Sequence, residues 1–413
     1  MFFRMTETTT KPTVRPERHE PNYSLGEKIR FLVENGDSLR YTVTWDGKST
    51  IDAGVVRDGV VHVAVDEPGY VRIALRETDA PGEPLAEAAV AVAPELLTPT
   101  LPMPDDFIDF WTGQLTRLPE TADPQIFLHE EHETDLVYGV SADTGDPDLG
   151  TVYAWLHVPR EQPVPVPGAI RYHGAGVYGV PTQYTREWAQ SGRICLSVNP
   201  HPIPNTWPQE RYDELLKGKL ANYTRHGRES RETSIFLPMF LRAAFVPRIM
   251  AALPEPIARW DRSHLVVEGH SQGGGQTFAA AALVPEVSGA AFSCPTHCDH
   301  AAPLHGRPAG WPQIVDWRED GPVPEHLEAA RYFDGVNFAT WTAMQGRSIP
   351  SLFGICYLDP ACPPTGIHTA ANVIGGEVTK HLDFVTAHIY TERFRDATFR
   401  WLDRYFPVNV SAS

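Results

Sequence analysis

Between residues 26 and 93 the hydrophobic positions recur every second residue, in short runs broken by turn residues. "KIRFLVE", "LRYTVTW", "VVHVAVD" and "YVRIALRE" each alternate apolar and polar side chains, the pattern of strands with one buried face. Asn-Gly in "ENGDS" and Asp-Gly in "WDGKS" supply the backbone freedom that tight hairpins need. Residues 22–95 are therefore predicted to form a small all-β sandwich of immunoglobulin-like type. Residues 1–21, polar and without periodicity, are predicted to be a disordered tail. The proline-rich "APELLTPTLPMPDD" reads as a linker.

Beyond the linker the rhythm changes. "DFIDFWTGQLTRL" reads as a helix, and continuous apolar runs then appear at "GAIRYHG", "RICLSVN", "HLVVEG", "GAAFSCP" and "PSLFGICYLD". Helical stretches such as "YTREWAQSG" and "MFLRAAFVPRIMAAL" separate them. Strands without a polar face must be covered on both sides, so residues 96–413 are predicted to be an α/β domain with a mostly parallel sheet. In such sheets the working groups gather beyond the carboxyl ends of the strands.

Charge narrows the choice of partner. The formal net charge of -17 opposes nucleic-acid phosphates and anionic membrane surfaces, leaving a small-molecule substrate. No window approaches the apolar length of a membrane span, and "MFFRMTETTTKPTVRPERHEPNYS" lacks the apolar core of a secretion leader. Five scattered cysteines (Cys195, Cys294, Cys298, Cys356 and Cys362) suggest reduced thiols in a cytoplasmic protein. A homo-oligomer is compatible with this composition.

Gly269-His270-Ser271-Gln272-Gly273 fits G-x-S-x-G, a weak signal alone and a stronger one in its setting. A buried strand precedes it and a small-residue helix follows, the strand–serine–helix turn of the α/β-hydrolase fold. A serine hydroxyl needs a base, and the base needs an orienting group. In this fold the acid and then the histidine follow the serine. Asp359 closes an apolar strand, and His388 sits in a short loop before the last amphipathic helix. His381 and Asp383 fall inside the last predicted strand and His368 on the helix after Asp359, so they are poorer candidates. The oxyanion requires two backbone N–H donors, assigned to Gln272 and to Ala175 in "HGAGVYG". This chemistry needs no cofactor and no metal.

With these residues in place, residues 100–408 resemble the acetyl xylan esterase and cephalosporin C deacetylase family, carbohydrate esterase family 7. The resemblance rests on "EGHSQGGGQTFAAAALVPEV", "ARYFDGVNFAT", "LDPACPPTGIHTAANVI" and the spacing of serine, aspartate and histidine. It implies a serine esterase that deacetylates carbohydrates, with Ser271, Asp359 and His388 at the triad positions. Two places depart from the family pattern. "SVNPHPIPNTW" stands where Arg-Gly-Gln is usual, and Ile389 rather than glutamate follows His388. The N-terminal sandwich is an addition to the minimal family chain. The alternatives are a prolyl-oligopeptidase-like or other small-ester hydrolase and a non-catalytic glycan-binding protein.

"CPTHCDH", residues 294–300, has the residue types of a zinc site, but its place at a strand end favours a pocket-lining loop. Trp207, Trp311 and Trp317 in proline-rich loops could stack on a sugar, although loop anchoring is the commoner role. No substrate-binding residue is assigned.

Overall fold

In the computed structural model, which describes residues 11–78, 82–162 and 164–408, the alternating runs pair into two small sheets. One joins Thr13–Pro16, Ile29–Glu34 and Val60–Val63. The other runs Asn22–Tyr23, Ala86–Val92, Gly69–Arg76, Arg40–Trp45 and Ser49–Val55. Ile29, Phe31, Val43, Val71, Ile73 and Val90 fill one shared core. Burying each such side chain stabilises by about 1.5–3 kcal/mol.

The tail expected over residues 1–21 requires correction. Thr13–Pro16 pair antiparallel with Ile29–Glu34, and Val14 is buried; residues 1–10 lie outside the described residues. A four-residue edge strand with one buried valine carries too little periodicity to stand out from a polar run. The proline-rich segment is also packed rather than loose. Leu97 is buried, and the Thr100 hydroxyl donates to Asp299 Oδ2 at 2.7 Å.

The second domain is built on nine strands, which we number β1 Gln125–Glu131, β2 Asp135–Asp143, β3 Thr151–Pro159, β4 Val166–Tyr172 and β5 Ile194–Val198. β6 Trp260–His270, β7 Val287–Ser293, β8 Ser351–Cys356 and β9 Val378–Asp383 complete it. Their order in space is β9-β8-β7-β6-β4-β5-β3-β2-β1. β4 to β9 are parallel, whereas β1, β2 and β3 form an antiparallel edge that the apolar runs did not announce. Every residue of β4, β5 and β8 is buried.

Alternation within those strands sorts side chains into two layers. Ile170 and Val267 join Phe240 of α1 (Phe236–Ala252) and Phe278 of α2 (Gln272–Leu283) on one face. Ala169, Val266 and Leu352 meet Phe394 and Trp401 of the last helix, Glu392–Tyr405, on the other. β4 and β6 are neighbours, and the chain leaves β4 toward β5 on one side but leaves β6 toward β7 on the other, so the two connections diverge there. A crevice outside the strand ends follows, and this is the α/β-hydrolase fold. No helix among the described residues is long and apolar enough to cross a membrane.

Candidate active site

Ser271 follows β6 directly, with φ 56° and ψ -122°, and α2 starts at the next residue. Such a conformation costs on the order of 1–3 kcal/mol and persists only where its surroundings dictate it. Here Ser271 N donates to Ser293 O at 2.9 Å, and Thr296 N donates to Ser271 O at 3.1 Å. Two glycines make the turn sterically feasible. A Cβ on Gly273 would lie 2.1 Å from Tyr172 O, and one on Gly269 2.2 Å from the Gly273 carbonyl carbon. The turn therefore sits hard against the end of β4.

His388 reaches this serine from the loop after β9. Its Nε2 is 2.9 Å from Ser271 Oγ, and its Nδ1 is 2.7 Å from Asp359 Oδ2. An ionised carboxylate only accepts, so Nδ1 carries the proton and Nε2 is free to take one from the serine. Asp359 stands beyond the end of β8 with its side chain fully buried. The amides of Ala361 and Cys362 each donate to its Oδ1 at 2.8 Å, fixing the rotamer that presents Oδ2. The three residues proposed from the sequence are thus brought together in one hydrogen-bonded series. The rivals are elsewhere. His381 and Asp383 lie in β9, and His368 is buried on the helix Pro364–Val373. His270, next to the serine, has its ring 5.1 Å from that of His388. Burial above all, then the His388 and Arg171 charges, pushes His270 down to about 3, so it stays neutral.

Gln272 opens α2, and the loop His173–Gly176 lies alongside the serine, where a Cβ on Gly174 would be 3.7 Å from Ser271 Cβ. Ala175 is exposed on that loop. One residue that the sequence reading missed joins the two segments. Tyr223 Oη donates to Gln272 Oε1 at 2.6 Å and accepts from Gly176 N at 3.2 Å. It stands on a three-residue turn, Tyr223–Arg225, with no periodicity to mark it. The departing segment "VNPHPIPN" braces the same loop. Asn205 Oδ1 accepts from Val180 N at 3.1 Å, and His201 Nε2 is 3.0 Å from Gly176 O.

Below the serine, Arg171 and Glu268 face each other across β4 and β6 at 3.1 Å. Burial pushes the Glu268 carboxyl up, and the Arg171 charge opposes that rise. Tyr390, two residues after His388, lays its ring 4.8 Å from the same guanidinium. The histidine loop is pinned to the sheet in this way.

The run Cys294–His300 is buried but does not gather its thiols and imidazoles around one point. Cys294 Sγ faces Cys356 Sγ at 3.4 Å, Cys298 Sγ faces Thr296 O at 3.5 Å, and His297 Nδ1 pairs with His300 Nε2 at 3.2 Å. Cys294 instead approaches Asp359 and His388, whose possible ligand atoms lie with its own within 4.8 Å of one another. Those two residues already bond each other. Trp311 packs on Phe236 and His297, whereas Trp207 is exposed beside Arg211. A cavity of about 570 Å³ opens at the far end of β6, lined by Leu265, Trp260 and Leu283, away from Ser271.

Fold and geometry define an α/β-hydrolase with its serine on a strained strand-to-helix turn. Residues 96–405 match the model of the family described as acetyl xylan esterase (AXE1), and the chain belongs to that family. It is a carboxylic ester hydrolase. A similar protein is the acetyl esterase Axe7A of Xylanibacter ruminicola, 23% identical over 394 residues, covering 94% of this chain and 83% of the relative. Two solved structures share the fold. The acetyl xylan esterase from Paenibacillus sp. R4 is 21% identical with a TM-score of 0.61, over 76% of this chain and 98% of the other. Acetyl xylan esterase 1 from Thermoanaerobacterium sp. JW/SL YS485 is 20% identical with a TM-score of 0.60, over the same shares.

Proposed function

We propose that this chain removes acetyl groups from O-acetylated carbohydrates through an acetyl-enzyme, with Ser271 as nucleophile, His388 as base and Asp359 as its orienting acid. The observation that carries this reading is the bonded series from Ser271 Oγ through His388 to Asp359. Family membership supports acetyl as the acyl group and carbohydrate as the alcohol.

Ser271 Oγ attacks the acetyl carbonyl while its proton passes to His388 Nε2. Asp359 stabilises the imidazolium, and the amides of Gln272 and Ala175 hold the oxyanion. Collapse expels the sugar oxygen, which takes the proton from Nε2. Water, deprotonated by His388, then attacks the acetyl carbonyl and releases acetate and free serine. The five cysteines, all unpaired and buried, support a reducing and hence cytoplasmic setting.

The test is direct. A serine-directed organophosphate should label Ser271 and stop hydrolysis of p-nitrophenyl acetate, and Ser271→Ala, Asp359→Ala or His388→Ala should each cost on the order of 10³-fold or more in rate. Near-normal turnover by Ser271→Ala would sink the proposal.

A further inference from the structure

The N-terminal sandwich touches the segment that carries Asp359 at several successive points. Tyr357, two residues before the acid, donates from its hydroxyl to Asn22 Oδ1 at 3.0 Å. The Tyr70 ring meets the Tyr357 ring edge-on, with centroids 4.7 Å apart. Tyr70 Oη lies 2.8 Å from His368 Nδ1, on the helix that follows the acid loop. One turn earlier, the Thr365 hydroxyl donates to Asp46 Oδ2 on the sandwich.

Proton directions along this series follow from its first member. Lys380 Nζ is 2.8 Å from His368 Nε2 and, as an ammonium, can only donate. His368 must then carry its proton on Nδ1 and give it to Tyr70 Oη. Tyr70 in turn meets Tyr357 through the edge-on ring contact, and the Tyr357 hydroxyl proton goes to Asn22. The donors run one way from β9, through the helix, to Tyr70 on the sandwich, whose ring packs against Tyr357 of the acid segment. Tyr70 and His368 are buried, so a bond broken between them would leave a donor with no water to take the partner's place.

We propose that the sandwich is a working part of the esterase: through Tyr70 it holds the Asp359 loop in register with His388, which makes Tyr70 a positioning residue for the acid. This rests on the reading of Asp359 as the triad acid. Within its own domain the loop is held mainly through backbone bonds, such as Leu358 N to Thr386 O at 3.2 Å and Asp359 N to Cys356 O at 3.3 Å. The sandwich supplies side-chain anchors on both flanks of the acid.

The experiment compares Tyr70→Phe, Tyr357→Phe and Asp359→Ala in the full chain, with p-nitrophenyl acetate as substrate. Tyr70→Phe should lower kcat about 10- to 100-fold, the loss expected for a misplacement on the order of 1 Å, with KM within about twofold. The acidic limb of its kcat/KM profile should move to lower pH, because the His388 imidazolium loses carboxylate support. His388 faces Asp359, Ser271, the His270 ring and the Cys294 thiol, and of these only Asp359 is held from the sandwich side. Tyr357→Phe cuts only the link to Asn22 and should change kcat and the limb in the same directions, by less. It carries the test if Tyr70→Phe does not fold. A variant that melts earlier while its kcat and acidic limb stay at wild-type values would overturn the inference. Undiminished activity of Asp359→Ala would overturn the triad reading instead.

Discussion

Tyr223 Oη lies 2.6 Å from Gln272 Oε1 and at the same time accepts the amide proton of Gly176, so one phenol ties the serine turn to the facing loop. Burial pushes Tyr223 up to about 12, and the hydroxyl keeps its proton across the working pH range. Tyr223→Phe should keep the fold but loosen the spacing between the proposed oxyanion amides. Since losing one such donor outright costs about 10²- to 10³-fold, an indirect loss of about 10-fold in kcat is expected. Steady-state kinetics with p-nitrophenyl acetate would check it; an unchanged kcat would place the oxyanion donors elsewhere.

Acyl length separates a deacetylase from an open ester groove. Each extra methylene could gain about 0.8 kcal/mol if it were buried without strain. In a pocket shaped for a methyl group, overpacking costs about 1–3 kcal/mol, a loss of roughly 5- to 150-fold. The expected order is acetate above propionate, and both far above butyrate and octanoate. Rates that climb with chain length across p-nitrophenyl esters would contradict the proposed function.

Asp46 makes stability depend on pH. Burial pushes its carboxyl up to about 7 from an ordinary 3.8, opposed by the Thr365 hydrogen bond and the Arg307 and Arg72 charges. Between those values the unfolded chain ionises this group and the folded chain does not, so the unfolded state binds fewer protons. Stability from this site therefore falls as pH rises from about 4 to about 7, then levels off. Asp46→Asn removes the ionisation while keeping the shape. It should match the wild type near pH 4 and exceed it above pH 7, by about 4 kcal/mol for the full shift. Melting temperatures across that range would show it, and parallel curves would refute it.

The pair Arg171 and Glu268 should matter through what is left when it is broken. Arg171→Met strands a fully buried carboxylate and removes the cation under Tyr390, so a loss of about 3–5 kcal/mol is expected. Adding Glu268→Gln should restore most of it. Urea unfolding of the two variants measures the difference, and equal stability would mean that water or a shifted side chain compensates.

Much of this molecule was legible along the chain because the responsible rules are local. Alternation announced most of the sandwich, and unbroken apolar runs announced the parallel strands, since each strand's pattern reflects only how many of its faces are buried. The glycines at 269 and 273 marked the serine turn, because a side chain there would strike backbone at 2.2 and 2.1 Å. Asp359 and His388 could be chosen because both follow a predicted strand on the same rim. What remained hidden depends on registry between distant segments. Arg171 faces Glu268 only because β4 and β6 pair in that register. Tyr223 reaches Gln272 from an irregular turn that no periodicity describes. Tyr70 meets His368 across two domains, and no short stretch of sequence encodes that distance. Periodicity is written residue by residue, whereas these contacts exist only after the sheets have closed and bulk water has left the space between them.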